Sequence, residues 1–252
     1  MKTPTFVIDT SDTRMFYTYR YLQNKKYKVC SIANNTETGA AYYCYGPQKR
    51  FTNDELMNIP DRSDLFCGSL NDMQKKILEI KNITHHNLLS DEIFAMDNAL
   101  LTAEGALMLI IRGTNVSIFG EKIAILGYGR VGKAMATLLK GLDVDFSIFS
   151  NDYTEQSMAR LLGKKIYDLD SEFNDYDVII NTIPAKILPL SKLKGAKKSC
   201  YILDLASYSG VEMCDINCLG LAYDNALGIP GKYSPKTAGE ILAQSILRNL
   251  EV

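Results

Sequence analysis

The chain has 252 residues, 28 basic against 29 acidic side chains and a net charge of −1, so it suits one large or two small domains and offers no global electrostatic case for binding nucleic acid or an anionic membrane. No apolar run reaches the length of a membrane span, and the opening MKTPTFVIDTSD lacks the apolar stretch of a signal peptide, which together predict a cytoplasmic protein. The six cysteines (Cys30, Cys44, Cys67, Cys200, Cys214 and Cys218) contain no CxxC pair, so free thiols and no metal site are expected.

In chain order, Thr5 to Ile8 reads as a strand, Asp9 to Arg14 as a polar turn that caps a helix, and Met15 to Asn24 as that helix. Lys28 to Ala33 is a second strand, which makes the opening a βαβ unit of its own. Between Asn34 and Arg62 turn signals dominate, with a strand at Ala41 to Tyr45. Leu65 to Cys67 is a further strand, Met73 to Ile80 a helix, and Ile83 to Leu89 another strand. Asp97 to Arg112 carries a continuous apolar face and predicts a long helix connecting two domains. We therefore divide the chain into an N-terminal α/β domain over 1–96 and a second domain over 97–252, with 97–116 as connecting helix and 235–252 as closing helix.

The second domain is organised around Glu121 to Leu139. The apolar run Ile123 to Leu126 ends in Gly127-Tyr128-Gly129-Arg130-Val131-Gly132, and helically spaced apolar residues follow. Strand, glycine turn and helix in that order are what a dinucleotide-binding unit requires. The first glycine allows the tight turn, the second lets backbone approach a pyrophosphate, and the third permits close packing of helix on strand, with the helix N-terminus facing the phosphates. Strand and helix patterns then alternate: Val144 to Phe149, a helix from Thr154 to Leu162, Lys165 to Tyr167, a short acidic helix from Ser171 to Tyr176, Val178 to Ile180, Tyr201 to Leu205 and Gly220 to Tyr223. Pro235 opens an amphipathic helix running to Leu250. The fold class is α/β: a two-domain protein in which a parallel-sheet Rossmann domain is preceded by a smaller flavodoxin- or Rossmann-like domain.

In open parallel sheets ligands bind beyond the carboxyl ends of the strands. That rule selects Gly127 to Gly132, Ser150-Asn151-Asp152, Asn181-Thr182-Ile183-Pro184 and Asp204-Leu205-Ala206 as cofactor contacts. A fifth segment, Ile229-Pro-Gly231-Lys232, runs into Ser234-Pro-Lys236. An acid at the second strand end favours the free ribose of NAD, and Asp152 lies 20 positions beyond Gly132, where that acid is expected. Ser150, Asn151 and Arg130 suit a phosphate equally, so NAD and NADP both stay open.

Histidine informs by its absence. Only His85 and His86 occur, both in the first domain and read as a solvated strand end, so a His general base in the cofactor domain is excluded. Lys236, at a helix start, is a candidate general acid or substrate-carboxylate partner. Glu104 is expected on the apolar face of the connecting helix, next to Thr102, where a carboxylate must be partnered or line a cleft.

Taken together, Thr102-Ala-Glu-Gly105, the G-x-G-R-x-G loop, Asn181 to Pro184, Ile202-Leu-Asp-Leu-Ala-Ser207, Gly228-Ile-Pro-Gly231 and Pro235-Lys-Thr-Ala-Gly239 resemble the A subunits of bacterial dipicolinate synthases. The resemblance covers about Asp97 to the C-terminus. In the first domain, Ser11-Asp12-Thr13-Arg14 sits where the family has an Asp–Arg turn, and in the second Leu227 and Ser209 replace prolines of the family pattern. The resemblance implies NAD(P)-dependent oxidation of a hydroxylated tetrahydrodipicolinate, or its dehydrated form, to the aromatic pyridine dicarboxylate. It also implies a partner during spore formation, the flavoprotein-like B subunit. Lys236, Glu104 and Thr102 are then the catalytic candidates, and Arg14, Gly231, Lys232 and Lys236 the substrate-binding ones. Another NAD(P)-dependent dehydrogenase of a small carboxylic acid and a non-catalytic nucleotide sensor stay open, as does a homo-oligomer.

Overall fold

The computed structural model describes residues 5–35, 39 and 41–250. The chain begins with β1 (Phe6–Ile8), α1 (Thr13–Asn24), β2 (Val29–Ser31), β3 (Tyr42–Cys44), α2 (Asn53–Met57), β4 (Asp64–Cys67), α3 (Asp72–Ile80) and β5 (Thr84–Asn87). These strands form a parallel sheet in the order β2-β1-β3-β4-β5, the flavodoxin-type doubly wound arrangement. Side-chain caps set the helix starts: Asp12 accepts from the Arg14 amide, and Thr52 with Glu55 and Asn71 with Gln74 form reciprocal capping boxes. The Thr52 box explains why α2 exists inside a stretch where turn signals dominate and the pattern predicts no helix.

A long helix, α4 (Glu92–Thr114), leads into β6 (Lys122–Leu126), α5 (Arg130–Gly141), β7 (Asp145–Phe149), α6 (Tyr153–Arg160) and β8 (Lys165–Tyr167). There follow β9 (Val178–Asn181), α7 (Leu190–Leu193), β10 (Tyr201–Asp204), α8 (Met213–Leu219), β11 (Ala222–Asn225), α9 (Ile229–Tyr233) and α10 (Pro235–Arg248). The second sheet is also parallel throughout, in the order β11-β10-β9-β6-β7-β8, the Rossmann order read from its far edge. Its four inner strands, β6, β7, β9 and β10, are buried on both faces, which is why they read as apolar runs, whereas the edge strands β8 and β11 are largely exposed. On one side Ile123, Ile125, Ile148 and Ile180 pack with Ala103, Ala106 and Ile110 of α4 and Met135 and Leu139 of α5. On the other, Leu126, Phe149, Ile179 and Ile202 pack with Phe173, Leu188 and Ile216. Among the described residues α4 alone has the length and apolarity to cross a membrane, and half of its apolar window is buried inside the fold.

Three expectations are corrected. Residues 171–176 form turns rather than a helix, because Phe173 and Tyr176 both dock on Phe149 and the backbone follows them. The connecting helix starts at Glu92, five residues early, because Asp91 caps it by accepting from the amides of Ile93 and Phe94. The closing helix does not belong with the second domain: one compact unit runs to Asn98 and resumes at Pro230, and the other spans Ala99–Ile229.

The partner of α10 is α1. Leu242, Ala243 and Ile246 share a cluster with Phe6, Ile8, Met15 and Leu22, all essentially without exposure. Ser245 Oγ and Arg248 Nη2 donate to Asp91 Oδ2 at 2.6 and 2.7 Å. Burial pushes the Asp91 carboxyl up, but hydrogen bonds from Ser245, the Phe94 amide and Arg248 outweigh it and hold the group below its ordinary value. The two helices meet most tightly at Gly239, whose carbonyl accepts from Thr18 Oγ1 at 2.9 Å. A Cβ there would stand 2.3 Å from the Arg14 carbonyl oxygen and 2.6 Å from Tyr17 Cβ. Gly239→Ala is therefore expected to destabilise the protein by about 2 kcal/mol despite alanine's better helix propensity, read as a lower urea midpoint at unchanged slope.

Candidate dinucleotide site

The strand order of the second sheet reverses between β6 and β9, and the glycine loop sits at that point. Gly127 has φ +89°, its amide donates to Phe149 O at 2.8 Å, and a Cβ on it would lie 2.7 Å from Ile183 Cγ1 and 2.8 Å from Thr182 Oγ1. A Cβ on Gly132 would lie 2.3 Å from the Gly127 carbonyl oxygen. Packing thus demands glycine at both positions. Gly129 differs: its φ of −70° suits any residue, and nothing comes nearer to its missing Cβ than Glu155 Oε1 at 3.9 Å. Gly129 is also the cap residue of α5, so no cap side chain stands in front of that helix's first amides. A groove of about 350 Å³ opens there, bordered by Gly127, Gly129, Thr182 and Pro184. This cradle fits a pyrophosphate.

The remaining loop residues divide by side chain. The Tyr128 ring is buried in the core, and that burial pushes its hydroxyl above the ordinary tyrosine range. Arg130 is exposed, Val131 half-buried, and Thr182 Oγ1 ties the loop's neighbour to β6 by donating to Leu126 O at 2.8 Å.

At the end of β7, Ser150 is buried while Asn151 and Asp152 are exposed. Asn151 Oδ1 accepts from the Leu169 amide at 2.8 Å. Asp152, picked out by its spacing, serves as the cap of α6, accepting from the amides of Thr154 and Glu155 at 2.8 and 2.9 Å. The acid that reaches the glycine loop is Glu155, which sequence spacing missed. Its Oε2 accepts from the Tyr128 amide at 2.9 Å and from Ser150 Oγ at 2.6 Å. The signal was an acid in the first turn of a helix that starts at the strand end, one turn beyond the position the spacing rule inspects.

Asn181 and Asp204, expected to touch the cofactor, are instead fully buried and hold a loop. Asp204 Oδ1 accepts from Asn181 Nδ2 at 2.9 Å and the Ala206 amide at 3.2 Å, and its Oδ2 accepts from the Gly210 amide at 2.7 Å and Tyr223 OH at 3.4 Å. Burial, then the Asp204 charge, raises the Tyr223 hydroxyl. Asn181 in turn donates to Ile183 O and accepts from the Ile183 amide, which shapes the turn into Pro184. Leu205 and Ala206 are buried beside this network, while Ile183 and Pro184 border the groove.

Of the catalytic candidates in the same unit, Thr102 is buried on α4. Glu104 is exposed rather than on the apolar face, because the face packed in the core runs through Ala99, Ala103, Ala106 and Ile110. In the other unit Arg14 is buried and clamped by Asp12, with Nε to Oδ1 at 3.1 Å and Nη2 to Oδ2 at 2.6 Å. Burial raises the Asp12 carboxyl, yet its bonds and charge contact with Arg14 leave it lowered overall. Gly231 abuts this arginine: a Cβ on it would lie 3.3 Å from Arg14 Cδ and Nε. Lys232 and Lys236 are exposed, the latter in the first turn of α10.

The histidines are half-buried rather than solvated. His85 Nε2 lies 3.0 Å from Gly68 O and 3.4 Å from Cys67 Sγ, and burial lowers the imidazole while pushing the Cys67 thiol up to about 12. His86 pairs with Asp64 at 2.7 Å and stacks on Phe66. No metal-binding cluster of His, Cys, Asp or Glu occurs among the described residues.

Residues 105–206 match the family model "D-isomer specific 2-hydroxyacid dehydrogenase, NAD binding domain". The fold extends the likeness to D-lactate dehydrogenase from Escherichia coli, with a TM-score of 0.67 at 13% identity over 98% of this chain and 96% of that one. A glycine cradle at the switch point of a Rossmann sheet, within this family match, defines an NAD(P)-dependent oxidoreductase. The chain is 30% identical over 201 residues to the A subunit of dipicolinate synthase from Bacillus subtilis (strain 168), covering 78% of this chain and 68% of that one. The structure of the corresponding A subunit from Bacillus halodurans superposes with a TM-score of 0.89 at 23% identity, covering 99% of this chain and 98% of that one. The chain belongs to the family of dipicolinate synthase A subunits.

Two outcomes test the site. Gly129→Asp is expected to leave the thermal midpoint unchanged or raised, because aspartate is a good helix cap and the position is open, while weakening NAD(P) binding by about 100-fold or more in titration calorimetry. Asp204→Asn, which turns an amide donor toward the donors that now share the carboxylate, is expected to cost about 3 kcal/mol in denaturant unfolding.

Proposed function

We propose that the chain oxidises 4-hydroxytetrahydrodipicolinate, or its dehydrated form, to dipicolinate, acting in the cytoplasm as the A component of a two-component enzyme. Family membership carries this reading. Loss of one water from the hydroxylated ring gives a dihydropyridine dicarboxylate, and loss of a hydride and a proton from that gives the aromatic product. Bound NAD(P) supplies the hydride acceptor. Aromatisation provides the driving force, so no strong base is required, in keeping with a cofactor domain that contains no histidine. That absence separates this reading from oxidation of a 2-hydroxy acid such as lactate, for which a histidine base is the usual device.

The protein's task is to orient a ring bearing two carboxylates and to neutralise them. Arg14, fixed by Asp12 with Gly231 against its stem, is a preorganised partner for one carboxylate. Lys236 places a cation in the first turn of α10, where the helix N-terminus also favours an anion, and Lys232 stands one short helix earlier. Lys236 also holds a proton that can pass to a leaving hydroxyl. Thr102 and Glu104 remain the other catalytic candidates, with Glu104 the solvent-facing one.

The test follows the reduced-nicotinamide absorbance with fresh 4-hydroxytetrahydrodipicolinate, NAD or NADP, and the presence or absence of a B subunit. Signal with this acid supports the reading. Cofactor binding without reduction, or reduction only with another small carboxylic acid, overturns it. Lys236→Ala is expected to lower kcat/KM by about 10- to 100-fold while dinucleotide affinity stays within about twofold. Unchanged turnover would remove Lys236 from the mechanism.

A further inference from the structure

Two carboxylates border the dinucleotide groove at the end of β7, and no Lys or Arg lines it among the described residues. Arg130 is exposed and lies outside the lining. The two acids differ in what they can offer a ligand. Asp152 Oδ1 is engaged by two amides as the cap of α6. Glu155 turns back over the glycine loop, and one oxygen, Oε2, takes both the Tyr128 amide and the Ser150 hydroxyl. Its other oxygen, Oε1, is the atom nearest the open side of Gly129. Fixing one oxygen by two donors from separate elements holds the carboxylate in place and presents the second as an acceptor at the rim of the phosphate cradle.

An acceptor there discriminates between dinucleotides. Ribose hydroxyls donate to a carboxylate, whereas a 2′-phosphate brings negative charge against two acids in a groove whose described lining includes no Lys or Arg. We infer that Glu155 makes this chain select NAD over NADP, accepting from the adenosine ribose and repelling a 2′-phosphate. The inference rests on the dinucleotide reading of the groove. Glu155 is a specificity residue held by Ser150, so removing that hydroxyl is expected to weaken the discrimination as well.

The experiment titrates the purified full chain with NADH and with NADPH, following the fluorescence of the reduced nicotinamide, for wild type, Glu155→Gln, Asp152→Asn and Ser150→Ala. Wild type is expected to bind NADH about 100-fold more tightly than NADPH. Glu155→Gln, which keeps size and one acceptor, is expected to reduce that ratio at least about tenfold, chiefly by tightening NADPH, with Asp152→Asn changing it less. Equal or tighter NADPH binding by wild type overturns the inference whether or not any variant folds. An unchanged ratio in folded Glu155→Gln, or a larger effect from Asp152→Asn, overturns it as well. Failure of wild type to bind either dinucleotide overturns both this inference and the reading of the groove, so the two failures are told apart.

Discussion

The close approach of backbone to backbone at the start of α5 is the constraint from which the site follows. Gly132 sits against the Gly127 carbonyl with no space for a side-chain carbon, and Gly127 itself has φ +89° with Ile183 and Thr182 packed on it. These contacts pin the N-terminus of α5 to the point where the sheet reverses, between the ends of β6 and β9. Once the helix is pinned, the middle glycine is left facing open space, and Glu155 and Thr182 have fixed loop atoms to bond. The chemistry of the groove is therefore a by-product of a packing requirement. The open side of the loop lies at the one of its three glycines that packing does not need.

A second level of support keeps the neighbouring strand ends in shape. Asp204 is a fully buried carboxylate whose oxygens are shared among an amide side chain, two backbone amides and a tyrosine. Such a group stabilises only while every donor is present, which makes the loop from Leu205 to Gly210 a single unit with Asn181. The turn from Asn181 into Pro184, on the groove's edge, is thereby coupled to a network centred on two fully buried side chains, Asn181 and Asp204. Asn181 and Asp204, polar residues at the strand ends, are thus structural, and the groove itself is bordered by the glycine loop, the acids Asp152 and Glu155, Asn151, Thr182 and the apolar Leu169, Ile183 and Pro184.

Much of this was legible in the sequence because steric demands leave marks in residue identity. Glycines that no other residue can replace, and strands apolar on both faces, announced the Rossmann unit, its order of elements and the position of the groove. Function at the level of a resemblance rode on short motifs at the strand ends for the same reason. What stayed hidden was partnership. The apolar stripe of α10 shows that a face is buried but not that the burial is against α1, more than 200 residues away. Asp152 and Glu155 are both acids near a strand end, and only the path of the α6 backbone decides which caps the helix and which reaches the loop. The apolar pattern of α4 likewise could not assign Glu104, since a helix this apolar buries one stripe and leaves Leu100 and Ile111 exposed. Histidines in a short edge strand looked solvated because stacking on Phe66 and pairing with Asp64 are contacts made across the sheet.

The return of the chain to its first unit has a consequence for biosynthesis. β1 and α1 emerge early from the ribosome, yet the cluster of Phe6, Met15 and Leu22 is not closed until Leu242 and Ile246 of α10 arrive. By then Ala99–Ile229 has been available in full, with every strand of its own sheet. The unit translated first is therefore the one completed last, and its half-covered apolar surface is exposed for as long as synthesis of the intervening residues takes. Closing so long a loop is slow compared with local helix and hairpin formation. In the nascent chain every residue of the second unit is therefore available before the last segment of the first unit has been made.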